Sequence, residues 1–195
     1  ENLEAVLALG DTQYKRGNPA AYPLSYHPTW GRLFDLTFPV PGNHEYRLNY
    51  RASGYFSYFS ARAGDPTKGY YSFDVGSWHI IALNSNCTKI GGCDTNDPQS
   101  VWLAEDLTQN PAKCTLVYGH HPVFGKQGRY AKPRWRSYFP LLYDAGADIA
   151  LVGHYHYYKR FRPQNIYGDL DPWGIRQFIV GTGGASLRTP RGNPG

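Results

Sequence analysis

Four of the seven histidines in this chain of 195 residues, His44, His120, His154 and His156, stand in loop contexts beside glycine. Asp11, Asn43, His120 and His154 each directly follow a glycine, and His154 and His156 form a Gly-His-x-His pair. One histidine so placed is more often a structural residue than a ligand. Six metal-competent residues in such positions reverse that expectation, because packing gives a chain no reason to end successive apolar runs in imidazole, carboxylate and amide. That donor set suits Zn, Fe, Mn or similar ions. Cys87, Cys93 and Cys114 have no C-x-x-C spacing and make no thiolate metal site. No G-x-S-x-G elbow or cysteine-arginine phosphate cradle is present, so no protein nucleophile is indicated. The Gly181 to Gly184 segment lacks the Lys-Ser/Thr of a P-loop and reads as backbone passing close to a site.

The elements that must position these residues are short. Leu3 to Leu9 reads as a buried strand that breaks at Gly10-Asp11. Gly17 to His27 has the composition of an irregular loop, and Trp30, Leu33 and Phe34 mark a short helix. Pro39 and Pro41 force extended backbone ahead of Gly42-Asn43-His44. Gly54 to Phe59 alternates aromatics loosely, and Gly64 to Gly69 is a turn. Tyr70 to Val75 and Trp78 to Leu83 predict an antiparallel hairpin turning at Gly76-Ser77. Pro98 to Leu107 predicts a helix with Trp102, Leu103 and Leu107 inward and Glu105 and Asp106 on the wetter side. Cys114 to Tyr118, Ile149 to Val152 and Gln177 to Val180 are three further strands. Between the first two, Arg134 to Ala145 predicts a helix closed by Gly146. Strands that each end in glycine plus a polar ligand are how a layered α/β sheet builds a site at its carboxyl ends.

In order along the chain, Gly10-Asp11-Thr12-Gln13-Tyr14, Gly42-Asn43-His44-Glu45, Gly119-His120-His121-Pro122 and Gly153-His154-Tyr155-His156 resemble the signature of calcineurin-like metallophosphoesterases. The likeness is nearest to the purple-acid-phosphatase-like and secreted bacterial phosphatase branches, and spans residues 3 to 184. It implies an α/β fold, a four-layer α/β/β/α sandwich. It implies two divalent or trivalent ions, Fe, Zn or Mn, with Asp11 bridging them. Asn43, His120 and His154 would hold the second ion, and His156 the first. Tyr14 stands where purple acid phosphatases place a tyrosinate ligand to ferric iron, its alternative being an aromatic packed in a loop. His44 would contact the phosphate and protonate the leaving group, oriented by Glu45 or another carboxylate. Asn43 and His121 would join it in binding substrate, the alternative for His121 being a partly exposed loop residue. The implied reaction is hydrolysis of phosphomonoesters by a hydroxide that two ions activate. Phosphodiester or nucleotide hydrolysis is the neighbouring reading, with Tyr155, Tyr157, Tyr158 and Trp135 available to stack a base. A non-catalytic binding or structural protein that keeps the fold is the other.

The family has one earlier motif, an aspartate on a preceding strand and loop, and no aspartate precedes Asp11. The chain is therefore expected to be one N-terminally incomplete catalytic domain, residues 1 to 195, lacking its first strand and metal-binding loop. The expected partner is an N-terminal fragment of the same protein; a degenerate site is the competing explanation. Tyr155 stands where many relatives carry aspartate.

Composition bounds the rest. Hydrophobic residues make up 41% and charged residues 18%, fitting one globular domain, and no apolar run approaches the roughly 20 residues of a membrane span. The net charge of +5 favours a small anionic substrate, and no run is basic enough for a nucleic-acid tract. The basic stretches Lys132 to Arg136, Lys159 to Arg162 and Arg188 to Arg191 read as solvated faces, or one of them as a screen for a phosphate. Cys87 and Cys93 can close a small disulfide ring, and Asn86-Cys87-Thr88 is a glycosylation acceptor sequence, so a secreted protein is expected. Cys114 is left to pair upstream or to sit reduced in the core.

Overall fold

The computed structural model describes residues 3–125, 133–135 and 137–189. Two sheets face one another. The smaller holds β1 (Val6–Ala8) and β2 (Thr37–Pro39), paired in parallel. The larger contains β3 (Tyr71–Val75), β4 (Trp78–Ala82), β5 (Cys114–Gly119), β6 (Ile149–Val152), β7 (Tyr158–Arg160) and β8 (Arg176–Val180), in the order β3-β4-β5-β6-β8-β7. β4, β5, β6 and β8 run parallel, and antiparallel β3 and β7 close the two edges. The expected hairpin therefore forms, turning at Gly76-Ser77.

Apolar side chains on alternate strand faces fix the layers. One face of the large sheet sends Ile81, Val117, Ala150 and Ile179 against Leu103 of α2 (Pro98–Gln109) and Tyr138, Phe139 and Leu142 of α3 (Tyr138–Asp144). The other face sends Ile80, Ala82 and Tyr118 against Leu7, Leu9, Phe38 and Val40 of the small sheet. Between the sheets Phe38 stacks on Phe73 with centroids 3.9 Å apart, and the Tyr71 and Tyr118 hydroxyls donate to the carbonyls of Pro39 and Phe38. Beyond the small sheet, α1 (Ser53–Phe59) and the turns beside it enclose an aromatic cluster of Tyr22, Tyr26, Tyr55 and Phe59. The order is helix, sheet, sheet, helix.

Several expectations change. β1 is shorter than Leu3 to Leu9 and half-buried, and among the described residues it pairs with β2 alone. Gly17 to His27 is not an irregular loop. Pro19–Ala21 forms a tight 3₁₀ turn and Tyr22–Tyr26 a wider π-helical one, because Tyr22 and Tyr26 must lie inward against Tyr58 and Phe59. The short helix near Trp30 extends over Trp30–Leu36 with a kink at Leu33. The loosely alternating aromatics of Gly54 to Phe59 lie on a helix. α3 starts at Tyr138 after a separate turn at Pro133–Trp135, and Gly146, at φ +72°, closes it as expected. Asp106 is buried rather than wet. Its carboxylate accepts from Ser72 Oγ and meets His79 Nε2 at 2.9 Å. Lys132, Arg136 and Arg191 lie outside the described residues. No helix among the described residues is long and apolar enough to cross a membrane.

Candidate metal centre

The parallel arrangement brings the carboxyl ends of β1, β2, β5 and β6 to one edge, where Asp11, Asn43, His120 and His154 follow their glycines. Gly10 is required there. A Cβ on it would come within 2.7 Å of both the Gly42 nitrogen and His120 Nδ1, and its φ of +80° suits glycine. A Cβ on Gly42 would collide with Asp11 itself. Asp11 and His154 are non-glycine residues at positive φ, 53° and 64°. Such strained backbone persists only where surrounding contacts hold it, and it concentrates at functional sites.

Glu45 supplies much of that hold. It is fully buried and accepts from the backbone N–H of Asp11, Gly42 and Gln13 and from Thr12 Oγ1, tying the first two motif loops together. Burial and the neighbouring Asp11 charge push its carboxyl up, against the pull of His120 and the N–H donors. Glu45 or another carboxylate is expected to orient His44; the carboxylate beside it is Asp11, whose Oδ1 accepts from the His44 backbone N–H at 2.9 Å, while His44 Nδ1 bonds the Lys15 carbonyl at 2.7 Å.

The ligand-type atoms form two groups. Asn43 Oδ1, His120 Nε2 and His154 Nδ1 lie 3.1, 3.1 and 3.2 Å from one another. An ion with tetrahedral bonds of about 2.0 Å spaces its ligands by roughly 3.3 Å, so these residues fit one. Tyr14 Oη lies 3.2 Å from His156 Nε2 and 3.3 Å from Asp11 Oδ2, forming the second group. Asp11 Oδ2 is also 3.3 Å from His120 Nε2, so one carboxylate oxygen touches both groups. The imidazoles are aimed by carbonyls: His120 Nδ1 donates to Leu9 O and His156 Nδ1 to Ser186 O, leaving each Nε2 facing inward.

Charge follows the same geometry. Burial alone would raise the Asp11 carboxyl, but the bond and charge of His120 and the N–H and charge of His44 outweigh it and hold Asp11 at about 2. Burial lowers His120, and its bond to Asp11 reverses that and raises it. His44 is lowered by burial, only partly opposed by Asp11. Its Nε2 is 3.9 Å from Asp11 Oδ2. Burial and Asp11 raise the Tyr14 hydroxyl.

His121 is 3% exposed rather than a partly exposed loop residue, exchanges hydrogen bonds with Ser85, and one of its ring nitrogens lies within 4.8 Å of those of His120 and His154. Trp135 is wholly buried with its indole N–H on the His121 carbonyl, so it cannot stack a base. Gly181 packs against the Tyr155 carbonyl, as expected of backbone that passes close to the site. Cys87 and Cys93 form the disulfide, and Cys114 is free and half-buried. Asn86 is 3% exposed and its amide donates to the Pro41 carbonyl, so the folded chain does not present it for glycosylation.

A calcineurin-like phosphoesterase family model matches residues 1–158. The chain belongs to this family. It is 32% identical over 186 residues to purple acid phosphatase 23 of Arabidopsis thaliana, covering 82% of this chain and 38% of that protein. Purple acid phosphatase 21 of the same plant is 30% identical over 189 residues, with 84% and 42% covered. The chain thus spans well under half the length of these two relatives. A solved purple acid phosphatase from yellow lupin (Lupinus luteus) seeds superposes on 94% of this chain and 38% of its own with a TM-score of 0.74, at 18% identity. The purple-acid-phosphatase-like family implies a binuclear metal centre.

Proposed function

We propose that the chain is the larger part of the catalytic domain of a secreted, metal-dependent phosphomonoesterase. The observation that carries this reading is the sharing of Asp11 Oδ2 between the Asn43–His120–His154 group and the Tyr14–His156 group. Bound there, two ions of the Fe, Zn or Mn class would supply the positive charge that activates water and neutralises phosphoryl oxygens. Hydrolysis adds the oxygen of water to phosphorus and breaks the ester P–O bond, so the departing oxygen needs a proton. In its protonated form His44 would deliver it from Nε2, since its Nδ1–H is engaged by Lys15 O. Asn43 and His121 lie beside the His120 and His154 ring nitrogens and would orient the phosphoryl group.

The far edge of β1 carries no strand among the described residues. An upstream strand of the same protein, as a separate fragment or as continuous chain, would satisfy that edge and add the earlier aspartate to the Tyr14–His156 group. The Cys87–Cys93 disulfide favours an oxidising, extracellular setting.

The test is turnover of an aryl phosphate by the complete, metal-loaded protein. Activity should disappear on chelation, return with metal, and be lost in His156→Ala. A complete protein that holds two ions and hydrolyses no phosphoester would end this reading in favour of a non-catalytic one.

A further inference from the structure

His156 keeps the lone pair of its Nε2 for the site because its Nδ1–H donates to the Ser186 carbonyl at 3.1 Å, and a carbonyl can only accept. His120 is aimed the same way by the Leu9 carbonyl, but the two carbonyls differ in what holds them. Leu9 directly follows β1 and packs against the core between the sheets. Ser186 lies in the loop after β8, which begins Gly181-Thr182-Gly183-Gly184, and three glycines in four residues give that segment the most backbone freedom to lose. An acceptor there is only as well placed as the loop is held. At its two ends the loop is fastened beside His156: the Gly181 N–H donates to the Tyr157 carbonyl at 3.2 Å and the Arg188 N–H to the carbonyl of His156 itself at 2.7 Å. Between them the grip comes from a distant element, since Trp30 Nε1 donates to the Gly183 carbonyl at 3.1 Å. Trp30 opens the Trp30–Leu36 turn, which is mounted on the aromatic cluster through Phe34 against Tyr58 and Phe59, and Thr29 just before it bonds the Ser25 and Tyr26 carbonyls. At 45% exposure the indole is no core residue, and its single donor is engaged by this loop.

We propose that Trp30 is a positioning residue for His156: by holding the Gly183 carbonyl it steadies the Ser186 carbonyl, and so keeps His156 Nε2 beside the Tyr14 hydroxyl, 3.2 Å away. This rests on the metal centre of the proposed function and not on its phosphomonoester chemistry. The consequence is selective. An ion at the Tyr14–His156 group depends on Trp30, whereas an ion at the Asn43–His120–His154 group, whose His120 is aimed from the end of β1, does not.

Calorimetric titration of the complete, metal-free protein with Zn²⁺ tests this, using Trp30→Phe to remove the N–H and keep a ring. One of the two affinities should fall about three- to tenfold, less than the roughly 10- to 100-fold of a directly bonded outer-shell partner, and the other should hold. In His156→Ala, which leaves the Asn43–His120–His154 group, adding Trp30→Phe should change the remaining affinity by less than about twofold. Hydrogen exchange at the Arg188 amide of the metal-free protein should quicken by about three- to tenfold in Trp30→Phe. Matched losses at both ions, or a loss that persists in the His156→Ala background, would make Trp30 a general stabiliser and overturn the assignment. Two unchanged affinities would overturn it whatever the amide does, and if aryl phosphate is still hydrolysed the function stands without it. If the complete protein binds two ions and hydrolyses no phosphoester, yet one affinity depends on Trp30, the positioning role stands and the function falls.

Discussion

Two regions of the molecule pair histidine with aspartate, and they do opposite things with it. At the carboxyl ends of β1, β2, β5 and β6, His120 and His156 each give one ring nitrogen to a backbone carbonyl and turn the other toward a polar neighbour of the site. On the β3–β4 hairpin, His79 gives both nitrogens to carboxylates, Nδ1 to Asp74 at 2.8 Å and Nε2 to Asp106 at 2.9 Å. A neutral carbonyl fixes a tautomer and leaves a lone pair free for chemistry, whereas two carboxylates consume both nitrogens and favour the charged ring. The first arrangement suits the ions proposed for this site. The second clamps α2 to the hairpin.

The contrast is broken most severely at Asp11. Asp11→Asn removes the charge from the one oxygen that joins both atom groups. The loss should exceed the roughly 10- to 100-fold cost typical of an outer-shell change. Turnover and metal content per chain, measured together on the complete protein, check it. A variant that keeps both ions and more than a tenth of its activity would remove Asp11 from the bridging role. His79→Gln, by comparison, should keep its ions.

Glu45 sharpens the comparison from the stability side. Glu45→Ala leaves the N–H groups of Asp11, Gly42 and Gln13 buried without an acceptor, at a cost of about 3 to 5 kcal/mol. Glu45→Gln keeps one acceptor oxygen and should lose less. Urea denaturation of the three proteins measures this, and a loss under about 1 kcal/mol for the alanine variant would mean the loops are held otherwise.

These outcomes bear on what could be read from the residues alone. The ends of β5 and β6 were legible because short apolar runs stop at glycine and a ligand-type side chain, a local signal. The burial of Glu45 was not, since nothing near it in sequence says that donors from residues 11, 13 and 42 converge on it. His121 depends in the same way on Ser85, 36 residues away. The turns at Pro19–Ala21 and Tyr22–Tyr26 were hidden by a loop-like composition, and tyrosine stacking against α1 shapes them. Asp106 was different. Gln99, Leu103 and Asp106 are spaced four and three apart and are all buried, so helical periodicity placed the aspartate on the inner face, and its charge alone argued otherwise.

The smallest effect tests the clamp itself. Burial lowers His79, but the bonds and charges of Asp106 and Asp74 overcome it and raise its folded value above the ordinary 6.5. The stabilisation is therefore fully present below about 6.5 and lost as pH rises through the raised folded value, where one ring nitrogen loses its proton and faces a carboxylate lone pair with nothing between them. Asp74 is largely exposed and contributes less than buried Asp106. His79→Gln should cost about 1 to 2 kcal/mol at pH 6 and distinctly less at pH 8.5, flattening the decline seen in the parent protein. Denaturation midpoints across that range measure it. If the variant's deficit were the same at both ends, His79 would be a neutral packing residue, and His120 alone of the two would owe its state to an adjacent aspartate.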